Sequence, residues 1–186
     1  MALSEKTDEE IATNVQQGDG ESFGVLVERY ERKLTRYARK FLSQGEDIQD
    51  LLQEVFIKSY VNIKSFDASR KFSLWIYRIA HNEFVNALKK KNRTPVLSFD
   101  LDVLFPHLAA PETADAEAEK KEVKHMLNRS LAKLPARYRE TLVLHYFEEM
   151  GYEEIAEIMQ VPMSTVGARL RRGKLFLRKV ISQAEN

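Results

Sequence analysis

The chain has 186 residues, 44% of them apolar, with no cysteine and a formal net charge of +1. Such a composition reads as a soluble globular protein of one ordinary domain or two small ones. It leaves out disulfides, thiolate ligands and thiol switches, and no apolar run is long enough to span a bilayer. Charge is unevenly spread, at +2 over residues 1–95, −5 over 96–120 and +4 over 121–186, which predicts two lobes joined by an acidic connector.

In chain order, "MALSEKTDEE" lacks the basic start and apolar centre of a secretory signal, so the expected address is the cytoplasm. Phe23, Leu26, Val27, Tyr30, Leu34, Tyr37, Ala38 and Phe41 then recur every three or four residues, the period of an amphipathic helix. After a break at "SQGED", the stretch "EDIQDLLQEVFIKSY" buries Leu51, Leu52, Val55 and Phe56 and turns Asp47, Asp50, Gln53, Glu54 and Ile57 to the other side. Acids in a first turn also suit the helix dipole, so spacing alone leaves the role of that face open. A third helix runs through "SLWIYRIAHNEFVNALKKK", with Ser73 as its expected N-cap and Trp75, Ile76, Ile79, Ala80, Phe84 and Leu88 as its apolar stripe. Trp75 and Tyr77 read as core. Lys89, Lys90, Lys91 and Arg93 close the helix, where cations suit the dipole and phosphate contact equally.

The connector "TPVLSFDLDVLFPHLAAPETADAEAEK" carries three prolines and no helical period, the marks of a linker. Beyond it, one helix ends near Lys133, another opens at Pro135, and two short ones follow closely. Strand alternation persists nowhere, so the expected fold class is all-α, in two small helical domains at 1–95 and 121–186 with a flexible acidic linker at 96–120. His81, His107, His125 and His145 lack metal-ligand spacing. Without a metal set, a phosphate-cradling glycine loop or a nucleophile and base grouping, no cofactor and no enzyme activity is expected.

The last two helices carry the first specific signal. "YEEIAEIMQVPMSTVGARLRR" sets Ile155, Ala156, Ile158 and Met159 on one short helix, breaks at Gln160, Val161 and Pro162, and restarts with Ser164 or Thr165 as cap. That is a helix-turn-helix pattern, whose second helix enters the major groove of DNA. Val166 and Leu170 would face the core and leave Arg169, Arg171, Arg172 and Lys174 for phosphates and bases. A solvated basic helix is the plain alternative for the charge run by itself. A stand-alone helix-turn-helix regulator would also explain this lobe, although such proteins normally dimerise on paired sites.

"DIQDLLQEVFIKSYVNI", "FSLWIYRIAHNEFVNALKKK", "LPARYRETLVLHYFEEMGYEEIAEIMQVPMSTV" and "RLRRGK", in that order, resemble a bacterial sigma factor of the extracytoplasmic-function class, over about four-fifths of the chain. The resemblance implies a detachable specificity subunit of RNA polymerase. Its first lobe would bind the clamp of the largest subunit and the −10 element, and its second the β flap and the −35 element. Asp47, Asp50, Gln53 and Glu54 would form the polymerase contact. The loop Ser65 to Phe72, with Phe66, Asp67, Ser69, Arg70 and Lys71, would help hold a base flipped from the −10 duplex. Asn82 would offer that base its amide donor and acceptor, and Lys89 and Lys90 would reach phosphates.

At the −35 element the contact set would be Ser164, Thr165, Gly167, Ala168, Arg169, Arg171, Arg172 and Lys174, with His145 as a backbone contact. Many members have "GTVKSR" or "GTVRSR" where this chain has "STVGAR", so Gly167 and Ala168 replace a basic residue and a serine. The resemblance further implies an anti-sigma partner covering the same surfaces. The connector would either be a tether or thread through polymerase channels that otherwise hold nucleic acid.

Overall fold

The computed structural model describes residues 5–42, 47–91, 130–131 and 133–182. The connector 96–120 and Arg93 lie outside the described residues. Among the described residues the chain is helical with no strand, as the periodicity predicts.

Helix α1, Asp8–Gln16, begins at a capping box that the sequence reading passed over. Thr7 Oγ1 accepts from the Glu10 amide at 3.2 Å, and the Glu10 carboxylate accepts from the Thr7 amide at 2.8 Å. The chain leaves α1 through Gly18 at φ 109°, a left-handed conformation that glycine adopts without a Cβ penalty. A single 3-10 turn, Gly20–Ser22, leads into α2, Phe23–Phe41, which buries the predicted stripe from Phe23 to Phe41. Helix α3, Ile48–Val61, is capped by Asp47, whose carboxylate accepts from the amides of Gln49 and Asp50 at 3.1 and 3.3 Å.

Helix α4, Phe72–Lys91, starts two residues earlier than an N-cap at Ser73 predicts. Ser73 is therefore inside the first turn and is not the cap. The free amide of Phe72 instead donates to Glu9 Oε1 at 2.9 Å, so a carboxylate from α1 closes the start of α4. Helices α1 to α4 pack around Tyr37, Phe41, Phe66, Phe72, Ile76 and Phe84, all buried.

Residues 130–131 are helical and a turn follows at Lys133, after which Pro135 precedes α5, Ala136–Tyr146. Next come α6, Tyr152–Met159, and α7, Met163–Ser182. The link between α6 and α7 turns sharply because Gln160 takes a left-handed conformation at φ 52° and ψ 48°. Helix α7 opens at Met163, with the Pro162 carbonyl accepting from the amides of Thr165 and Val166 at 2.8 and 3.3 Å. The expected cap at Ser164 or Thr165 is thus corrected to the proline position. Ile155, Ile158, Val166, Leu170 and Leu177 are buried against α5.

The two groups of helices share one contiguous core, α5 lying on α2 and α6 on α4. Two carboxylates hold this junction. Glu140 of α5 accepts from the Tyr37 hydroxyl of α2 and meets His81 Nδ1 of α4 at 2.5 Å. Glu148, beyond α5, receives Arg36 in a two-pronged contact at 2.9 and 2.8 Å and the Tyr77 hydroxyl at 2.6 Å. Burial first, and the Glu140 charge second, hold the Tyr37 phenol well above its ordinary value. Lys40 lies 3.8 Å from the Phe147 ring centroid. Arg139, wholly buried with its guanidinium near the Phe41 ring, is pushed down to about 10 by desolvation.

The two glycines of α7 differ in what surrounds them. A Cβ at Gly173 would sit 3.1 Å from Leu142 Cδ1, whereas one at Gly167 would meet only Tyr152 Cε2 at an ordinary 3.6 Å. Gly167→Ala should therefore stabilise the protein by up to about 1 kcal/mol through helix propensity. Gly173→Val should instead lower stability by about 1 to 3 kcal/mol through overpacking against α5. Urea denaturation of the two variants checks both signs.

Candidate nucleic-acid and polymerase interface

The loop from Ser65 to Phe72 is built from below. Gln16 of α1 donates its side-chain amide to the carbonyls of Ile63 and Phe66 at 2.8 and 2.7 Å, and Glu9 receives the Phe72 amide. Both ends of the loop are thereby tied to α1. Phe66 is buried, its ring 5.3 Å from Phe72 and 5.5 Å from Trp75. It anchors the loop rather than facing outward. Within the loop, Asp67 Oδ1 accepts from the Ser69 amide and hydroxyl at 3.0 and 2.7 Å, and these bonds hold its carboxyl below the usual range. Asp67, Ser69, Arg70 and Lys71 are exposed.

Farther along α4, Asn82, Lys89 and Lys90 are exposed. Tyr77 is buried and Trp75 half-buried, in keeping with core positions. The roles of Glu9 and Gln16 are not legible in the sequence because they act 63 and 50 residues away; the one local sign is the "TDEE" cap.

On α3, Asp50, Gln53 and Glu54 are exposed as predicted, while Asp47 is exposed and also serves as the cap. The same helix continues into an apolar ridge, since Ile57, Tyr60 and Val61 are 55%, 47% and 70% exposed. An acidic end beside apolar side chains gives one helix both charge selectivity and contact area for a protein partner. Leu175 and Phe176 form a second exposed apolar pair on α7, at 62% and 41%.

The helix-turn-helix presents Ser164, Arg171, Arg172 and Lys174 to solvent, with Thr165, Gly167, Ala168 and Arg169 half-buried. Lys174 leans over the Tyr146 ring at 5.0 Å. The half-buried His145 bonds through Nδ1 to the Met150 carbonyl at 2.9 Å. That oxygen can only accept, so Nδ1 carries the proton that bonds it.

Residues outside the predicted set complete this face. A cleft of about 540 Å³ is lined by Arg137 and Tyr138 of α5 together with Ser164, Thr165, Ala168, Arg169 and Arg172, and by no acid. Arg137 Nη2 lies 3.3 Å from the Tyr138 hydroxyl, and bonds from Arg137 and then Arg172 hold that phenol below its ordinary value. Three guanidinium groups and three hydroxyls converging without a carboxylate suit a phosphate. "LPAR" gives no hint of this, because only the packing of α5 under α7 brings Arg137 and Tyr138 to the cleft.

Residues 26–94 match the family described as Sigma-70 region 2, and residues 124–177 match Sigma-70, region 4. The ECF RNA polymerase sigma factor SigW of Bacillus subtilis is 35% identical over 89% of this chain and 91% of its own length. The ECF RNA polymerase sigma-E factor of Haemophilus influenzae is 34% identical over 94% of this chain and 95% of its own. Among solved structures, CnrH in complex with the cytosolic domain of CnrY shares the fold at a TM-score of 0.68 and 24% identity, covering 96% of this chain and 99% of that one. RpoE of Bartonella quintana, solved with the anti-sigma factor NepR, gives 0.65 and 21%, over 86% and 96%. No described helix is long and apolar enough to cross a membrane. The chain belongs to the ECF class of RNA polymerase sigma factors, and is an alternative sigma factor that binds core RNA polymerase and directs promoter-specific initiation through the −35 and −10 elements.

Proposed function

We propose that residues 1–95 form sigma domain two, 96–120 the linker and 121–186 sigma domain four, and that the chain works in the cytoplasm as a specificity subunit with no catalytic site of its own. The division is supported by family matches that end at 94 and resume at 124. The exposed face of Asp47, Asp50, Gln53 and Glu54 meets the clamp of the largest polymerase subunit. Ile57, Tyr60 and Val61 add apolar contact area, and Leu175 and Phe176 of α7 meet the β flap. These two apolar patches also suit an anti-sigma factor, which the class resemblance leads us to expect.

The observation that carries the −10 assignment is the loop 65–72, fixed at both ends to α1 while Asp67, Ser69, Arg70 and Lys71 stay outside. A loop that must receive a flipped base gains from being preorganised, because ordering it during melting would subtract from the binding energy. Asn82 reads the flipped base, and Lys89 and Lys90 follow the strand.

At the −35 element, Gly167 and Ala168 cannot supply the charge and hydroxyl usual in the class. Arg171 and Arg172 take over contact from the recognition helix, and Arg137 with Tyr138 adds a phosphate grip from α5.

Charge reversal at Asp50 and Glu54 should weaken association with core polymerase at least about tenfold, through like-charge repulsion at the interface, and leave the helical circular dichroism unchanged. Holoenzyme formation at wild-type affinity would remove this face from the contact. Arg137→Ala should weaken binding to all −35 variants alike and flatten the salt slope by about one unit, the behaviour of a lost phosphate contact. Arg171→Ala should relax preference at one position if its guanidinium reads a base, and a panel of −35 duplexes at several salt concentrations separates the two.

Asn82→Ala should spare core binding and closed-complex formation but reduce open complexes, by a loss of about 1 to 3 kcal/mol in contacts to one base. Gln16→Ala should give a smaller defect at the same step by loosening the loop. Permanganate footprinting on fully paired and pre-mismatched templates reads both, with partial rescue of Asn82→Ala expected on the mismatched one.

A further inference from the structure

Arg137 and Arg169 stand between two clefts with different walls. On one side is the phosphate cleft, with its hydroxyls and guanidinium groups. On the other, a cleft of about 390 Å³ is walled by Phe41 of α2, Val85 and Leu88 of α4, Ala136 of α5, and Met159 and Val161 at the end of α6. Lys89 joins the two arginines at this second cleft, which is also lined by His81 and Glu140.

We propose that the second cleft binds a small amphipathic carboxylate, its aliphatic or aromatic body lying on the apolar wall and its head between Lys89, Arg137 and Arg169.

The charges select the head. Arg29, Arg36, Lys58, Arg70 and Lys71 each pair with an acid, whereas no acid among the described residues pairs with Lys89, Arg137 or Arg169. Guanidinium groups without a carboxylate of their own suit a carboxylate brought by a ligand, which can accept two parallel bonds from either. Glu140 sets the orientation. It is buried and already engaged by the Tyr37 hydroxyl and His81, so a second carboxylate is repelled from that end and drawn to the cations.

The walls select the body. Six apolar side chains would give a phosphodiester or an inorganic phosphate nothing to bury against, but they remove an alkyl chain or a ring from water. The volume lies at the small end of ligand pockets, and a junction between helix groups is a usual place for one.

Because Arg137 and Arg169 line both clefts, a bound carboxylate takes from DNA the groups that would hold a −35 phosphate. This consequence rests on the proposed −35 assignment; the site itself does not.

The test uses the full chain without polymerase, with octanoate as the probe and 1-octanol as its uncharged match, both followed by titration calorimetry. Octanoate should bind with a Kd on the order of 0.1 to 1 mM, in keeping with its few heavy atoms, and octanol at least about tenfold more weakly. Arg137→Gln with Arg169→Gln should reduce octanoate to the level of octanol. Val85→Trp on one wall and Ala136→Phe on the other should each fill the cleft and weaken octanoate at least about tenfold, with helical circular dichroism unchanged; either alone suffices if the other fails to fold.

Absence of octanoate binding, equal binding of octanol, or full binding in the filled variants would overturn the site. Octanoate that binds only after residues 97–105 are replaced by glycine and serine would assign the cleft to the connector's own "LSFDLDVLF", and would overturn it too. At about ten times its Kd and constant ionic strength, octanoate should raise the apparent Kd of a −35 duplex about tenfold in wild type and leave Val85→Trp unaffected. Octanoate bound in the cleft with no effect on the duplex would remove Arg137 and Arg169 from the −35 contact and leave the carboxylate site standing.

Discussion

The arrangement depends on where two acids of the second domain are placed. Glu140 and Glu148 are carried by α5 and the turn after it into a floor of aromatic rings and cations supplied by α2 and α4. A carboxylate taken out of water needs partners, and each of these finds two. Glu140 has the Tyr37 hydroxyl and His81, and Glu148 has Arg36 and Tyr77. The pairing fixes which face of one domain meets which face of the other, since a rotated docking would leave the acids buried against rings. It adds little net strength, because both carboxylates are well hydrated when the domains part and the desolvation lost on closing offsets much of the attraction. The polar contacts therefore make the junction specific, while its strength comes from the shared apolar core.

The same economy of contact appears around α1. Glu9 and Gln16 of this helix reach the loop, and they act on backbone atoms, at the Phe72 amide and at the carbonyls of Ile63 and Phe66. Backbone anchoring sets the loop's path without drawing on its exposed side chains. The buried Phe66 ring adds an apolar anchor against Phe72 and Trp75. Asp67 then folds the tip through Ser69. Fold and function are joined here by a division of labour, with main chain fixed by α1 and the exposed cations Arg70 and Lys71 held only by salt-screened pairs with Glu157 and Glu154 of α6.

Much of this was legible in the sequence, and the parts that were not have physical reasons. The stripe of α2, the buried and exposed sides of α3, and the break at Gln160 between α6 and α7 follow from a 3.6-residue period and a turn, both local. Ser73 was expected to cap α4, and Ser164 or Thr165 to cap α7, because hydroxyl residues near a helix start are good caps; the real starts lie at Phe72 and Met163, where Glu9 and Pro162 do the work from positions that local pattern does not weigh. Phe66 belongs to a loop by sequence and to the core by packing. The domain junction was not legible at all. Glu140, Glu148, Glu154 and Glu157 read as ordinary charges on helical surfaces, and their pairing partners stand 59 to 112 residues away along the chain.

On the proposed −35 assignment, a local loss is met from elsewhere in the fold. Glycine at 167 removes a side chain from the recognition helix and alanine at 168 removes a hydroxyl, yet the net field of the site need not fall. Arg137 and Tyr138 come up from α5 beside Arg169 and Arg172, and no acid lines their cleft. A charge moved from a groove-facing position to the flank changes what is read. Guanidinium groups at phosphates set affinity and register but distinguish sequences poorly, whereas base edges require side chains within the groove. On the proposed −35 assignment, with 167 and 168 small, discrimination passes to Arg171, an exposed arginine of α7 that does not line the cleft. A chain built this way should tolerate more variation in its −35 sequences than members with a full recognition helix, and should rely correspondingly on the −10 strand, where the anchored loop and Asn82 retain their complement of polar side chains.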